Sequence, residues 1–530
     1  MRLWEIIQGI WKRNKLLIML LLASLILRIA WVVYTGYVAE DAFITFRFAQ
    51  NLAEGRGFTY NPGQRVYGTT TPMFTFLMAL WNLLCKDPVP GAWLFNLLAG
   101  LGTLYFTYRG LEAARVSPAQ RLFALLLLIL SPRLLHLDML GMETPLVLLF
   151  MAASWSTFQR KRWYWTGILL GLMLWVRIDT ALWLMIIGFV TFQKDRRAGW
   201  IVVGLASATY FPWLLFAFFS FGTPIPMTII AKYWAYTIRG HAYNVDFIEP
   251  AFSMLLVRLK PIGDVLKGST LYNLSTRIDA VNTFATVLSI TLTTAGAILA
   301  LRKRKLYPII GFLILEIIRL TVFRITFFNR YFVAAIWSTC ILSGYCLGHL
   351  WDVRYKSHIS RMLSYLLPAV VLLLSVSEAF RGANYYRDFQ HYRHDGSLKP
   401  IGKWLFLNME EGATIQLEPL GYIGYYSELI MLDEVGLVTP IVIQMKQQNI
   451  TQPVQMVVIL RPDAFVIHCD DAQRISDDHY WIEVGGEVDY EFMTRFDPLN
   501  YLGTARVSES DKALARASCY EVWVKSELKR

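Results

Sequence analysis

Two adjacent carboxylates, Glu40 and Asp41, follow the first long apolar run of the sequence, which begins at Leu16. An acid at the end of a hydrophobic span lies near enough to hydrocarbon for its pKa to rise, whereas nearby arginines lower that pKa again. This balance suits a group that must remove a proton at neutral pH. We expect Asp41 to be a general base and Glu40 to be the weaker candidate, because adjacent side chains point apart in helical or extended chain. The alternative is an ordinary interfacial acid.

Arginines that interrupt or follow other apolar runs form a second candidate set. A guanidinium offers two parallel charged hydrogen bonds, a geometry that matches phosphate. We therefore expect a phosphate site that shares one cavity with Asp41. Its candidate residues are Arg177, Arg324, Arg330 and Tyr331. The alternative is that these arginines reach lipid headgroups from helix ends.

Two other arginines indicate structural contacts. Glu316 lies one helical turn before Arg319, so the spacing predicts an ion pair. Arg28 lies deep in the first apolar run, where a charge is costly unless it faces protein. We expect neither arginine to bind a ligand.

His136, Asp138 and Glu143 lie on one short stretch, and a histidine with two acids could bind a divalent metal. Their spacing matches no strong metal signature, so we assign no metal ligand and leave a divalent metal open. The five cysteines form no CxxC pair, which argues against a zinc or redox centre of that kind. Cys469 and Cys519 lie in the C-terminal region, where a disulfide and two free buried cysteines are both open.

The elements that must position these residues are mostly membrane helices. Apolar residues make up 55% of the sequence and aromatic residues 15%, with a mean hydropathy of +0.41, which exceeds what a soluble globule needs. Apolar runs recur at the length that crosses a bilayer core, ~17–25 residues. The net charge of +12 is concentrated in short basic runs between them. That pattern orients membrane helices and does not indicate nucleic-acid binding.

Placing the basic runs in the cytoplasm predicts about eleven crossings, with the N-terminus inside and the C-terminal region outside. Residues 72–85 are apolar but too short for a span, and we interpret them as a re-entrant or juxtamembrane helix. The predicted spans are 16–37, 91–109, 120–136, 143–159, 163–177, 180–193, 198–219, 283–301, 306–322, 331–350 and 362–379.

The sequence pattern changes after residue 380, where short strand-like runs alternate with glycine turns and charged stretches. We therefore predict a transmembrane domain over 1–379 and a soluble extracytoplasmic domain over 380–530. The second domain, of roughly 150 residues, should be α/β or α+β. Its expected strands are 413–417, 456–460, 464–468 and 520–524.

Residues 40–72 resemble the first outer loop of polyprenyl-phosphate-dependent GT-C glycosyltransferases, above all the mycobacterial terminal arabinofuranosyltransferase family and its bacterial relatives. The match is carried by EDAFITFRFAQNLAEGRGFTYNPGQRVYGTTTP. Shorter matches are GMETPL (141–146), RIDT (177–180), NRYFVA (329–334), EPLGYIGYYS (418–427) and LDEVGLVTP (432–440). The resemblance thus extends over most of the membrane half and part of the C-terminal region.

The resemblance implies a polytopic α-helical membrane protein of the GT-C type in the bacterial plasma membrane. Its implied reaction is the inverting transfer of one sugar, hexose or pentose, from a polyprenyl-phosphate donor to an extracytoplasmic glycan, lipid or protein acceptor. The family's usual base candidate maps to Asp41, and the C-terminal domain would orient the acceptor. The sequence departs from the family pattern at Glu40, Gln64, Tyr67 and Thr69, which leaves the sugar open. Further candidate substrate-binding residues are Arg47, Asn61, Arg65, Tyr67, Glu143 and Asp179.

Two other classes of protein remain open. A lipid or glycolipid transporter would also carry arginines and a central acid, but it should show internal repeats, and the sequence has none that we detect. A membrane-anchored glycan-binding protein would use the C-terminal domain for recognition and the helices as an anchor. Measuring sugar transfer would separate both classes from a transferase.

Overall fold

The computed structural model describes residues 2–234, 280–322, 329–354, 357–475, 490–501 and 509–528. The described residues form two compact units. The first contains residues from 2–36, 92–212 and 280–385, and the second contains residues from 37–91, 213–234 and 386–528. The segment that follows the first span therefore belongs to the same unit as the C-terminal region. The predicted domain boundary at residue 380 does not include this grouping of residues 37–91 with the C-terminal region.

Helices make up most of the described chain before residue 409, because long apolar runs are bounded there by capping residues and prolines. Ser117 caps one helix through a capping box with Gln120, and Ser131 caps the next. The helices are α1 (Arg2–Thr35), α2 (Glu40–Ala53), α3 (Pro72–Asn82), α4 (Pro88–Ala113), α5 (Pro118–Leu130), α6 (Pro132–Asp138), α7 (Thr144–Gln159), α8 (Trp163–Val176), α9 (Ala181–Lys194), α10 (Arg196–Phe221), α11 (Met227–Lys232), α12 (Ala280–Arg302), α13 (Tyr307–Val322), α14 (Val333–Asp352), α15 (His358–Phe389) and α16 (Lys399–Asn408), with a π-helical segment at Gln390–Leu398.

Ten of the eleven predicted spans fall mainly on one of these helices each, and the span 120–136 extends over α5 and α6. By length and composition, six described helices could cross a membrane, or seven if α5 and α6, which meet at a 61° bend, form one span. The other four, α7, α8, α9 and α13, have 14 to 16 residues. At about 1.5 Å per residue they are shorter than a bilayer core of about 30 Å, so the number of crossings remains a prediction.

Small residues and a buried ion pair join helices of the first unit. A Cβ on Gly344 of α14 would overlap the backbone of Ala124 in α5, and such close approaches are typical of membrane helices. Arg28 of α1 pairs with Asp138 at the end of α6, and the two side chains are 2% and 5% exposed. Arg28 also donates to Ser24. The prediction that Arg28 faces protein is therefore confirmed.

The second unit contains a five-stranded mixed sheet with the strand order β2-β1-β3-β5-β4. Strand β1 pairs in parallel with β2 and β3, whereas β5 is antiparallel to β3 and β4. The strands are β1 (Thr414–Leu417), β2 (Ile430–Asp433), β3 (Ala464–His468), β4 (Tyr490–Phe496) and β5 (Tyr520–Lys525). The helices of this region are α17 (Leu420–Ser427), α18 (Pro440–Gln447), α19 (Pro453–Leu460), α20 (Cys469–Ile475) and α21 (Glu509–Arg516).

Three of the four predicted strands are confirmed, and one prediction is wrong. Residues 456–460 belong to helix α19, which begins with Pro453 at its first turn and ends at Arg461 in the left-handed conformation. A short apolar run fits a buried helix as well as a strand, and a proline at the first helical position favours the helix. Strands β2 and β4 were not predicted.

Cys469 and Cys519 form a disulfide with a Cα–Cα distance of 5.4 Å. The bond joins the end of β3 to the start of β5, so it closes the antiparallel half of the sheet. The sequence left a disulfide and two free cysteines open, and the structure selects the disulfide.

Candidate active site

The two candidate carboxylates form the first turn of α2, a 14-residue helix inside the segment that we expected to be a loop. Apolar residues at helical spacing, namely Ala42, Phe43, Phe46 and Ala49, are buried, and this periodicity is the signal for the helix. The residue before α2 is Ala39, whose side chain cannot cap the helix. Acids in a first turn are stabilised by the unpaired N–H groups and the dipole of the helix.

Glu40 and Asp41 interact with each other, although adjacent side chains were expected to point apart. Their carboxyl groups share a hydrogen bond, and Glu40 also accepts one from the backbone N–H of Gly421. Burial raises the pKa of Glu40 well above its ordinary value, and the negative charges of Asp41 and Glu418 raise it further. The shared hydrogen bond requires one proton between the two carboxyl groups, and the raised pKa of Glu40 favours that proton on Glu40.

Helix α17 packs closely on α2 through its glycines. A Cβ on Gly421 would overlap the carbonyl oxygen of Glu40. The Phe43 ring lies 3.9 Å from the ring of Tyr422. The resemblance at EPLGYIGYYS thus falls on the helix that contacts the Glu40 carboxylate.

Arg47 and Asn61, two candidate substrate-binding residues, use their polar groups on the protein backbone. The Arg47 guanidinium donates to the carbonyl groups of Tyr60, Gly424 and Leu429. The Asn61 amide exchanges two hydrogen bonds of 2.9 Å with the backbone of Met431 in β2. Both side chains are buried. Their described contacts are structural, since they fasten α2 and the segment after it to the C-terminal part of the same unit.

Tyr67 is also engaged with protein, whereas Arg65 is exposed. The Tyr67 hydroxyl accepts a 2.7 Å hydrogen bond from the Trp213 indole. Its ring stacks on Phe221 with 5.0 Å between centroids. Because Tyr67 is 3% exposed, of these two residues only Arg65 presents its side chain to solvent.

The LDEVGLVTP match forms a loop around one buried carboxylate. Asp433 accepts hydrogen bonds from the N–H groups of Gly436, Leu437 and Val438. This loop lies directly against the segment after α2, because a Cβ on Gly68 would be 2.8 Å from the Val438 side chain. All three matched segments of the second unit therefore contact one another.

Arg177, Arg330 and Tyr331 come together in the first unit. The Arg177 guanidinium donates to both oxygens of Asp179, at 3.0 and 2.5 Å, and to the carbonyl oxygen of Arg330 at 3.1 Å. The Tyr331 ring lies 4.9 Å from the Arg177 guanidinium and 5.6 Å from that of Arg330. Two cations against one aromatic face form a cation–π arrangement.

Further acids and one more arginine extend this cluster. Glu143 lies 3.8 Å from Arg177, with both side chains about 5% exposed. Burial alone would raise the pKa of Asp179, but the Arg177 and Arg319 charges lower it below its ordinary value. The predicted Glu316–Arg319 ion pair is confirmed at 2.6 Å. Arg177 is therefore fully engaged by Asp179, Glu143 and the Arg330 backbone.

The remaining predicted contacts of the phosphate site are not described. Arg324 lies outside the described residues, and Asp41 belongs to the other compact unit. That Asp41 shares a cavity with Arg177 and Arg330 remains a prediction.

The three candidate metal ligands contact different partners. Asp138 pairs with Arg28 and Glu143 with Arg177, while the His136 ring lies edge-on to Trp31. In the part of the chain that the structure describes, no three His, Cys, Asp or Glu side chains are grouped as a metal site.

The raised pKa of Glu434 should make the free energy of unfolding depend on pH. Burial raises the pKa of Glu434 to about 8, although a hydrogen bond from Gln416 lowers it in part. Unfolded glutamate has a pKa of about 4.3. Between these values the folded protein binds more protons than the unfolded chain, so the free energy of unfolding must fall as pH rises.

We expect Glu434→Gln to remove that slope while keeping the hydrogen bond to Gln416. Thermal unfolding in detergent between about pH 5 and about pH 8 should show a smaller decrease in Tm for the variant. The exposed Glu411→Gln is the matched control. An identical pH slope for Glu434→Gln and the unmodified protein would contradict the assignment.

Comparisons with known proteins agree with this architecture. A family model described as a domain of unknown function (DUF8728) matches residues 383–523. No curated protein sequence matches the chain. Among solved structures, ArnT from Cupriavidus metallidurans bound to undecaprenyl phosphate has a TM-score of 0.58 at 12% identity, with coverage of 87% of this chain and 95% of that chain.

Two other solved structures are similar. The oligosaccharyltransferase of Archaeoglobus fulgidus has a TM-score of 0.53 at 12% identity, with coverage of 92% of this chain and 73% of that chain. The arabinofuranosyltransferase AftD from Mycobacteria has a TM-score of 0.47 at 14% identity, with coverage of 97% of this chain and 40% of that chain. At this level of identity the comparisons show the fold.

The fold is that of the GT-C glycosyltransferases, as the resemblance in the sequence predicted. The solved structures that support this fold are those of ArnT and of the archaeal oligosaccharyltransferase. The chain is accordingly similar to multi-pass membrane enzymes, and its apolar helices are compatible with that class.

Proposed function

We propose that this protein is a membrane glycosyltransferase that moves one sugar from a polyprenyl-phosphate donor to an extracytoplasmic acceptor. The observation that carries the proposal is the Glu40–Asp41 pair at the start of α2, in a chain with the GT-C fold. ArnT, which shares the fold, was solved bound to undecaprenyl phosphate. That ligand supports a polyprenyl-phosphate donor here.

The reaction is a single displacement with inversion. Asp41 accepts the proton of an acceptor hydroxyl as the hydroxyl oxygen attacks the anomeric carbon. The bond between that carbon and the phosphate oxygen breaks, and polyprenyl phosphate leaves with the electron pair. Glu40 shares a hydrogen bond with Asp41 and so holds the base in place.

The donor phosphate is assigned to the cluster in the first unit. Arg330 is the principal ligand in this proposal, and Arg177, which is engaged by Asp179 and Glu143, supports it. Arg177 holds the Arg330 backbone, and Tyr331 lies against both guanidinium groups. A positive charge at this point stabilises the negative charge that develops on the leaving phosphate. Arg65, which is exposed, and Arg324 are further candidates for substrate contacts.

The C-terminal domain and the first turn of α2 are placed outside the plasma membrane, where the lipid-linked donor and the acceptor glycan meet. The disulfide between Cys469 and Cys519 supports this placement, because disulfides persist in oxidising compartments.

Transfer of radiolabelled sugar in proteoliposomes tests the proposed function. The purified protein should move label from a polyprenyl-phospho-sugar to a glycan acceptor, and parallel pentose and hexose donors would identify the sugar. Movement of intact donor across the bilayer without transfer would favour a transporter. Acceptor binding without either activity would favour a glycan-binding protein.

A further inference from the structure

The backbone of Val38, two residues before the acidic pair, is held by side chains that lie more than 350 residues later in the chain. The Val38 N–H donates to the Gln390 side-chain oxygen at 3.2 Å, and the Val38 carbonyl accepts from the Tyr422 hydroxyl at 3.4 Å. Both main-chain groups of Val38 are therefore bonded to side chains. Asp41 lies three residues further on, in the first turn of α2.

Gln390 and Tyr422 are also bonded to each other, which closes a ring of hydrogen bonds. The Gln390 side-chain N–H donates to the Tyr422 hydroxyl at 3.2 Å, and the Gln390 oxygen accepts from His394 at 2.9 Å. Gln390 is 8% exposed, Tyr422 2% and Val38 2%. Because these hydrogen bonds are buried, water cannot easily replace a hydrogen-bond partner that a substitution removes.

Aromatic contacts hold the same segment from another direction. The Tyr37 ring stacks on the ring of His394 at 5.5 Å and lies 4.9 Å from that of Tyr386. Gln390 and His394 belong to the π-helical segment Gln390–Leu398. Such segments are rare and occur often at functional sites. Here the wide turn places both side chains against Tyr37 and Val38.

A helix whose first turn carries a base needs this outside support. Ala39 provides no side-chain cap for α2, so nothing local fixes the direction in which the helix begins. Gly421 fixes Glu40, and the Gln390–Tyr422 pair fixes Val38. A displacement of about 1 Å at a catalytic group can lower a rate about 10²-fold.

We infer that Gln390 is a positioning residue for Asp41, which acts through the backbone of Val38 with Tyr422 as its partner. The inference rests on the proposed function for Asp41. It gives the π-helical segment a role in the chemistry, beyond any binding of the acceptor by the C-terminal domain.

Hydrogen–deuterium exchange of the full-length protein in detergent tests the positioning directly and needs no enzymatic activity. Gln390→Met keeps the shape of the side chain and removes its hydrogen bonds. We expect about tenfold faster exchange of the amides in residues 37–42, because one buried hydrogen bond is lost. Gln447→Met, at an exposed glutamine, is the control. Unchanged exchange in Gln390→Met would overturn the inference, whatever reaction the protein catalyses.

Transfer kinetics then separate positioning from a general structural effect. Gln390→Met should lower kcat about 10- to 100-fold with little change in the KM for the donor. In the Asp41→Asn background the same change should have almost no effect, because a displaced base matters only when the base is present. An equal loss in both backgrounds would show that Gln390 does not act through Asp41. A fully active Asp41→Asn protein would instead refute the proposed base.

Tyr422→Phe provides a second test if Gln390→Met folds poorly. It removes only the hydroxyl and keeps the ring that packs on Phe43. We expect faster exchange in residues 37–42 and a lower kcat, both smaller in size than for Gln390→Met. A phenylalanine variant that matches the unmodified protein in both measurements would overturn the role assigned to the ring of hydrogen bonds.

Discussion

Asp41→Asn should lower sugar transfer by about 10²–10⁴-fold, the range typical of a lost general base. Asparagine keeps the size of the side chain and much of its hydrogen bonding but cannot accept a proton at neutral pH. The loss should appear in kcat, while the KM for the donor stays nearly unchanged because the base acts on the acceptor. The measurement is single-turnover transfer from a radiolabelled polyprenyl-phospho-sugar in proteoliposomes.

The variant Glu40→Gln tests which of the two adjacent acids is the base. Because Glu40 shares hydrogen bonds with Asp41 and with the Gly421 N–H, glutamine can reproduce much of its hydrogen bonding. We expect a milder loss than for Asp41→Asn. The exposed Glu54→Gln at the other end of α2 is the control and should be fully active. Near-normal transfer by Asp41→Asn together with an inactive Glu40→Gln would show that the base is Glu40.

Arg330→Met should raise the KM for the polyprenyl-phosphate donor about 10- to 100-fold. A hydrogen bond to a charged group contributes about 1.5–3 kcal/mol, and methionine removes the charge while keeping a long apolar side chain. Saturating donor should restore part of kcat if Arg330 acts mainly in binding. Steady-state kinetics with varied donor would measure both constants.

Two variants make the Arg330 result specific. Arg177→Met should lower thermal stability as well, because it leaves the carboxylates of Asp179 and Glu143 without their shared cation. Arg160→Met is the control. Arg160 belongs to a basic run predicted to be cytoplasmic and pairs with Glu112, so the KM of this variant for the donor should not change. An Arg330→Met protein with unchanged donor KM would exclude Arg330 from the phosphate site.

The sequence predicted the largely helical architecture and singled out the two acids, because both depend on local patterns. Apolar runs identified the helices, and the match over residues 40–72 identified the segment that carries Asp41. Where a run was short, the pattern was ambiguous. Residues 456–460 fit a strand and a buried helix equally well, and Pro453 is the residue that marks the start of a helix.

The partners of the acidic pair could not be predicted, because they lie far away along the chain. No local pattern links Val38 to Gln390 or Glu40 to Gly421. Arg47 and Asn61 looked like substrate ligands because they are polar residues in a matched segment, yet their described partners are backbone groups of the C-terminal region. A single sequence shows that such residues are unusual and does not show what they contact.

The burial of Arg47 also sets a limit on when the site can assemble. Two of its carbonyl partners, Gly424 and Leu429, follow it by 377 and 382 residues. At a synthesis rate of about 5–20 residues per second, they emerge about 20–75 s after Arg47. Until then these two hydrogen bonds of the Arg47 guanidinium cannot form. The packing around the candidate site is therefore completed only after residue 429 is made, although its proposed base precedes that residue by almost 400 positions.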